Sequence, residues 1–332
     1  MGAKIVLASD GAALQLLKAE FPHLTACQLP SYHIRYRTKS MVWNIAGQLP
    51  RITYAIRAEQ QMTEQLVREH NIAGIISDNR YGCFSRWVPS VILTHQLHLK
   101  VPNAALQWSA NQVLRRALRK FDTIWIPDVA GDDNLSGELS HPPLRGFTTK
   151  YIGLLSRFTG STLRTADEEE QPTVAVVLSG PEPQRTVLEH ILLEQALSLP
   201  HKFVFVKGRT NVLEHHIVAE NVEVISYLTS SELHELFQKS AVVVCRAGYS
   251  SLMDLVALGH TKAILIPTPG QTEQEYLGAL FASRGMFICQ NQETIDMESG
   301  LRALEQNAAI SMKLSQTSLF EETLENWLLK LS

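Results

Sequence analysis

The sequence predicts an α/β protein of two doubly wound domains, each a parallel sheet sandwiched between helices. Three observations carry this expectation. Short runs rich in Val and Ile read as strands buried on both faces, which a parallel sheet between helices requires. Longer segments of helical periodicity separate them in a repeating βα order. The length of 332 residues suits two domains on the rough scale of ~100–200 residues each.

Strand candidates in the first half are residues 4–8, 73–77, 91–94 and 123–126. In the second half they are 173–178, 202–206, 222–226, 241–245, 263–266 and 286–289. Helical patterns fill the intervals, among them 184–198, 231–239 and 250–258, and a last one runs from about 311 to 331. Residues 161–172 include Thr165, Asp167, Glu168, Glu169, Glu170 and Pro172 and lack apolar periodicity, so they read as a linker. It divides a domain over 1–160 from one over 173–332. A second stretch, 128–143, is rich in Gly, Asp, Asn, Ser and Pro and reads as a surface excursion.

Composition narrows the function classes. A hydrophobic content of 45% and a charged content of 19% are ordinary for a folded chain. The formal net charge of -3 gives no basic excess for nucleic acid. No run approaches the ~18–20 apolar residues of a membrane span, and the opening Met-Gly-Ala-Lys-Ile-Val-Leu-Ala-Ser-Asp has no signal-peptide pattern. Cys27, Cys83, Cys245 and Cys289 are scattered, which points to reduced thiols and a cytoplasmic protein. The Gly-rich signals match neither a Walker loop nor G-x-G-x-x-G, so neither ATP nor NAD chemistry is supported and no cofactor is expected. His215 and His216 read as neighbours on different faces of a helix without a third spaced ligand, so no metal is expected.

Residues 241–279 are the most informative. A buried strand ends at Cys245, turns through Arg246-Ala247-Gly248, and a helix begins near Ser250 with Ser250 or Ser251 as its cap. Gly248 permits a sharp turn and close approach of a ligand. The open N–H groups and positive end of the helix suit a phosphate, and Arg246 is placed to add charge. Asp254 lies one turn inside, where a carboxylate can accept ribose hydroxyls. The next strand ends at Pro267, and its loop leads into Glu273-Gln274-Glu275. Ligands of open α/β sheets bind at the carboxyl ends of the strands, where both loops sit.

This pattern, with Gly259 closing the helix and Tyr276-Leu277-Gly278-Ala279 after the acidic-or-Gln pair, resembles the C-terminal half of family 28 glycosyltransferases. The resemblance implies the GT-B fold, two Rossmann-like doubly wound domains with an interdomain cleft. It implies that Arg246, Gly248, Ser250 and Ser251 face a diphosphate, that Asp254 binds ribose, and that Gln274 and Glu275 contact the donor sugar. The implied partner is a nucleotide-sugar donor, UDP-linked, with an acceptor the sequence does not name and for which a lipid-linked compound is one option.

Weaker similarities extend the pattern. Residues 89–96 (PSVILTHQ) are similar to a family strand near the cleft, and the segment from Tyr151 to Arg157 looks like the family's hinge, whose Arg reaches phosphate. Ser179-Gly180-Pro181-Glu182-Pro183-Gln184-Arg185 takes the place of a Gly-rich loop. Pro181 and Pro183 remove backbone donors there, so contact leans on Ser179, Gly180 and Arg185. Tyr227-Leu228-Thr229 lies where the base-facing loop would be, which brings Leu228 to the nucleotide.

The N-terminus departs from the family. Members open with a strand, a Gly-rich turn carrying a His that is a favoured base, and a helix. Residues 2–11 instead resemble the second strand, so the first β–α unit is expected to be missing; the alternative is a genuine first strand with a degenerate turn at 9–12. The base is then absent or falls to Asp78 or His95, each just after a strand. Arg115, Arg116, Arg119 and Lys120 share a helix with Trp108, which would suit an anionic membrane surface, although packing of its apolar stripe is the favoured role. The functional expectation is metal-independent sugar transfer. Its rivals are a nucleotide-sugar hydrolase or epimerase of the same fold, and an inactive nucleotide-sugar-binding protein.

Overall fold

The computed structural model describes residues 2–32, 47–158, 173–209, 212, 214–306 and 318–331. The expected linker at 161–172 lies outside them. Two compact units make up the chain. One is Met1–Leu155 with Leu314–Ser332, and the other is Ser156–Lys313.

The first unit opens with a parallel β–α–β unit: β1 (Val6–Ser9), α1 (Gly11–Glu20) and β2 (Thr25–Gln28). After α2 (Leu49–Glu69) come β3 (Ile75–Asp78), β4 (Ser90–Leu93), α3 (Ala104–Leu118), β5 (Thr123–Ile126) and β6 (Thr149–Tyr151). Strands β3 to β6 form a four-stranded parallel sheet in sequence order. β4 is buried along its whole length, as a strand covered on both faces must be. On α3, Leu114 and Leu118 pack inward, while Trp108 is 67% exposed.

Two expectations about this unit need correction. Residues 128–143 are a surface excursion only in part: residues 130–133, 138, 142 and 143 are exposed, but Asp128 is fully buried and organises the rest. Its carboxylate accepts from the backbone of Val129, Leu135 and Ser136 at 2.8, 2.9 and 2.8 Å, and Leu135, Ser136 and Ser140 are fully buried with it. Polar composition signalled a loop, but those polar groups satisfy one another inside. The last helix ends at Leu328 rather than 331, and its described part belongs to this unit, not to the C-terminal half. Its described part, Ser318–Leu328, packs Phe320, Leu324 and Trp327 on Val91, Leu93, Trp125 and Ile152. The Trp125 ring meets those of Phe320 and Trp327 edge-on at 6.4 and 5.8 Å, a favoured aromatic geometry.

The second unit holds β7 (Thr173–Val177), α4 (Gln184–Ala196), β8 (Lys202–Val206), β9 (His215–Ala219), β10 (Val222–Ile225), α5 (Ser230–Lys239), β11 (Ser240–Cys245), α6 (Tyr249–Leu258), β12 (Ala263–Leu265), α7 (Thr272–Ser283), β13 (Ile288–Cys289) and α8 (Met297–Gln306). With α9 (Ser318–Leu328) of the first unit, these complete the α-helices of the described residues. The sheet order is β13-β12-β11-β7-β8-β10-β9. All neighbours are parallel except β9, which pairs antiparallel with β10. His215 and His216 therefore lie on an exposed edge strand, not a helix. Strand residues Val174, Val176, Phe203, Phe205, Val244 and Ile264 form the core with Leu188, Leu192, Met297 and Leu301 from the helices.

Candidate functional site

The chain runs from β7 outward through β8 to β10, then returns to place β11 on the other side of β7. The order therefore reverses between β7 and β11. At such a switch point the loops leave in opposite directions and open a crevice at the carboxyl ends of the strands. Register puts these ends level: Cys245 pairs with Val177 on one side and with Leu265 on the other. Three loops thus start side by side at Leu178, Arg246 and Ile266.

Each loop delivers a helix. The first passes through Ser179 and Gly180, both exposed, to α4. Gly180 has φ 99°, a backbone that favours glycine. The second passes through Arg246-Ala247-Gly248 to α6. The cap of α6 is Gly248 in extended backbone, with no side-chain cap bond, which corrects the expected Ser250 or Ser251. Those serines stand inside the first turn, where Ser250 is exposed and Ser251 half-buried. The first N–H groups of a helix have no intrahelical acceptor, so the start of α6 offers its positive end and donors to an anion. The cap residue of α4, Pro183, has no side-chain bond, but the Glu182 carboxylate accepts from the Thr186 N–H at 3.2 Å and closes that start. Likewise α5 is closed by a capping box between Thr229 and Glu232, and Leu228, half-buried just before it, sits at the end of β10.

The third loop folds back on its own helix. Gln274 Oε1 accepts from the Thr268 N–H at 2.8 Å, and Glu275 Oε1 accepts from the Gly270 N–H at 2.9 Å. Gln274 Nε2 donates to Gln271 Oε1 at 2.6 Å, which fixes the amide's orientation. Both side chains expected at the donor sugar thus brace the loop that carries them.

Arg246 is 1% exposed, and its guanidinium donates inward. Nη1 reaches the carbonyls of Ile266 and Pro267 at 3.2 and 3.3 Å, and Nη2 reaches Gln184 O at 2.9 Å and Gln292 Oε1 at 2.7 Å. Burial lowers its pKa to about 10. The side chain expected at phosphate thus braces the start of α4 against the end of β12. Arg185 is also buried, donating to Lys207 O at 2.8 Å and pairing with Glu182, so it too is held away from an open contact. Burial opposes ionisation of Glu182, yet hydrogen bonds from Thr186 and Arg185 keep its carboxyl below the usual range.

Asp254 is 8% exposed. Its carboxylate accepts from Ser156 Oγ at 2.7 Å and from Arg157 Nε and Nη2 at 3.3 and 3.2 Å. Burial pushes its carboxyl above the ordinary value, against the pull of those two donors. Arg157, expected at phosphate, is committed here to Asp254. Ser156 and Gln292 were not anticipated. Ser156 lies in the hinge-like segment beside Arg157, whereas Gln292 gives no sequence signal at all.

In the first unit, Asp78 and Leu93 are register partners on β3 and β4, so Asp78 and His95 emerge at the same end of adjacent strands. Desolvation pushes the Asp78 carboxyl up, and His95 pulls it down. Between them Asn79, at φ 53°, accepts from Thr94 Oγ1 at 3.2 Å. Below lies a network that was not read from sequence. Glu59, fully buried, accepts from Arg80 Nε at 2.5 Å, from the Gly82 N–H at 2.9 Å and from the Tyr32 hydroxyl. Arg80 also pairs with Asp10 and donates to Pro30 O at 3.0 Å. It thereby ties the loop after β3 to those after β1 and β2.

Residues 174–328 match the glycosyltransferase family 28 C-terminal domain. One curated relative is the UDP-N-acetylglucosamine–N-acetylmuramyl-(pentapeptide) pyrophosphoryl-undecaprenol N-acetylglucosamine transferase of Caldanaerobacter subterraneus subsp. tengcongensis, 29% identical over 114 residues. That match covers 34% of this chain and 29% of the relative's own length. Among solved structures, the glycosyltransferase SnogD from Streptomyces nogalater superposes with a TM-score of 0.64 at 13% identity, over 98% of each chain. UGT89C1 of Arabidopsis thaliana, complexed with UDP-L-rhamnose, gives 0.60 at 14% identity, over 99% of this chain and 92% of that one. These structural likenesses establish the fold. Residues 174–328 thus carry the likeness to glycosyltransferase family 28, on a chain with the GT-B fold.

Proposed function

We propose that the protein transfers a sugar from a nucleotide-sugar donor to an acceptor hydroxyl, with the donor held by the second unit at the switch point between β7 and β11. The observation that carries this is the level placement of the loops at Gly180 and Gly248, the second leading to a helix without a side-chain cap, in a segment that matches the family 28 domain. The leaving diphosphate rests on the N-terminus of α6 with Ser250 and Ser251, which stabilises the charge that develops as the glycosidic bond breaks. This arrangement supplies that stabilisation from the chain's own donors, and the reading includes no metal. Asp254 binds ribose, with Ser156 and Arg157 holding its carboxylate. Gln274 and Glu275 position the sugar from the braced loop before α7. Leu228 borders the base.

In the first unit Asp78, with His95 beside it, deprotonates the acceptor. A carboxyl pushed above its ordinary range is a stronger base at neutral pH than an unperturbed one. The curated relative is named for a UDP-linked donor and a pyrophosphoryl-undecaprenol acceptor, which supports uracil as the base and a lipid-linked acceptor. The four scattered thiols support a cytoplasmic setting. The test is a panel of nucleotide sugars with and without candidate acceptors, read as release of nucleoside diphosphate. Acceptor-dependent release is expected. Release with water alone would replace transfer by hydrolysis, and absence of binding to any nucleoside diphosphate would remove the donor site.

A further inference from the structure

Thr268, at the carboxyl end of β12, is held at both backbone groups but not at its hydroxyl. Its N–H donates to Gln274 Oε1 at 2.8 Å and its carbonyl accepts from the Gln271 N–H at 3.0 Å. The residue is 2% exposed, and Oγ1 is buried with no hydrogen-bond partner among the described residues. A buried hydroxyl without a partner destabilises a fold, so its presence needs a reason.

The reason lies across the crevice. A side chain placed on Gly180 would find a single heavy atom within 4 Å, the Thr268 Oγ1 at 3.6 Å. The space over Gly180 is therefore bordered by this hydroxyl and otherwise open. Gly180 follows β7 and Thr268 follows β12, so the two loops flank the one after β11, with the open start of α6 between them.

We propose that the Thr268 hydroxyl is a diphosphate-binding group, donating its proton to a phosphate oxygen seated against Gly180. This rests on the donor-site reading above and adds a residue that neither the motif nor its spacing marks. Phosphate oxygens accept strong charge-assisted hydrogen bonds, and a hydroxyl fixed by its own backbone gives one with little ordering cost. The ligand-free protein carries the unpaired hydroxyl, and the bound diphosphate satisfies it.

The test compares Thr268→Val and Thr268→Ser in the full chain. Each is titrated calorimetrically with UDP, dTDP and inorganic pyrophosphate, and the melting temperature is measured without ligand. Thr268→Val keeps the shape and loses the hydroxyl. It is expected to raise the Kd of the bound diphosphates about tenfold or more, the loss for a hydrogen bond to a charged group, with the ligand-free melting temperature equal to or above wild type. Thr268→Ser is expected to bind within about threefold of wild type. A Thr268→Val protein that binds as wild type does, or whose ligand-free melting temperature falls while Thr268→Ser holds, overturns the proposal. If wild type binds none of the three probes, the donor-site reading falls as well, whereas binding that is blind to Thr268 leaves that reading intact.

Discussion

Arg157 and Asp254 form an ion pair inside the second unit, with the Arg157 side chain 44% exposed and the Asp254 side chain only 12%. Ser156 holds the other carboxylate oxygen, so the acid assigned to ribose is fixed before any nucleotide arrives. Asp254→Ala is expected to weaken nucleotide binding by roughly 1.5–3 kcal/mol. Unchanged affinity would remove Asp254 from the site. Arg157→Ala takes away one of the influences that lower the Asp254 pKa, so its carboxylate protonates at a higher pH. Calorimetry with UDP at pH 5 and pH 7.5 is expected to show a steeper loss of affinity on acidification in Arg157→Ala than in wild type.

Arg246 is expected to act on loop geometry. Arg246→Lys keeps the charge but loses the planar fork, leaving some of its four acceptors unpaired. Each buried unpaired group costs about 1–3 kcal/mol, so the melting temperature should fall measurably. Affinities for uridine and for UDP should fall together, because the start of α4 and the end of β12 shift as one. A loss confined to UDP would return Arg246 to the phosphate.

The fold was largely legible because parallel strands buried on both faces leave a plain apolar signature. The strands 123–126 and 202–206 were read to the residue. Strands with exposed faces were not: β2 and β9 alternate too little to be seen, and β9 is exposed along most of its length. The loop between β11 and α6 was legible through Gly248. Where a charged side chain goes was not. Arg246 follows a strand just as a phosphate-binding arginine would, and only the positions of Gln184, Ile266 and Gln292, far from it in sequence, show that it turns inward.

His260 is 6% exposed, its Nε2 lies 2.9 Å from Phe237 O, and burial lowers its pKa below the ordinary value. The folded state thus binds the proton less well than the unfolded chain. The stability this confers is present above the unfolded pKa of ~6.5 and is lost as pH falls through that value toward the folded one. His260→Gln should flatten this part of the stability profile between about pH 7 and pH 5, as measured by urea unfolding at several pH values. An equally steep profile in the variant would rule His260 out as its source.

Asp78 and His95 are expected to serve the reaction without serving donor affinity. Asp78→Asn should lower turnover by ~10²–10⁴, the usual worth of general base help, while UDP binds as before. If His95→Asn alone shows the loss, His95 is the base. If neither does, deprotonation lies elsewhere.

The central claim is that a nucleoside diphosphate binds at the switch point of the second sheet. Amide hydrogen exchange of the full chain, with and without saturating UDP, tests it most directly. Protection is expected to rise at 178–182, 247–251 and 267–275, the three loops that leave β7, β11 and β12. Saturable UDP binding that leaves these three segments unprotected, or no binding of UDP or any other nucleoside diphosphate, would contradict it.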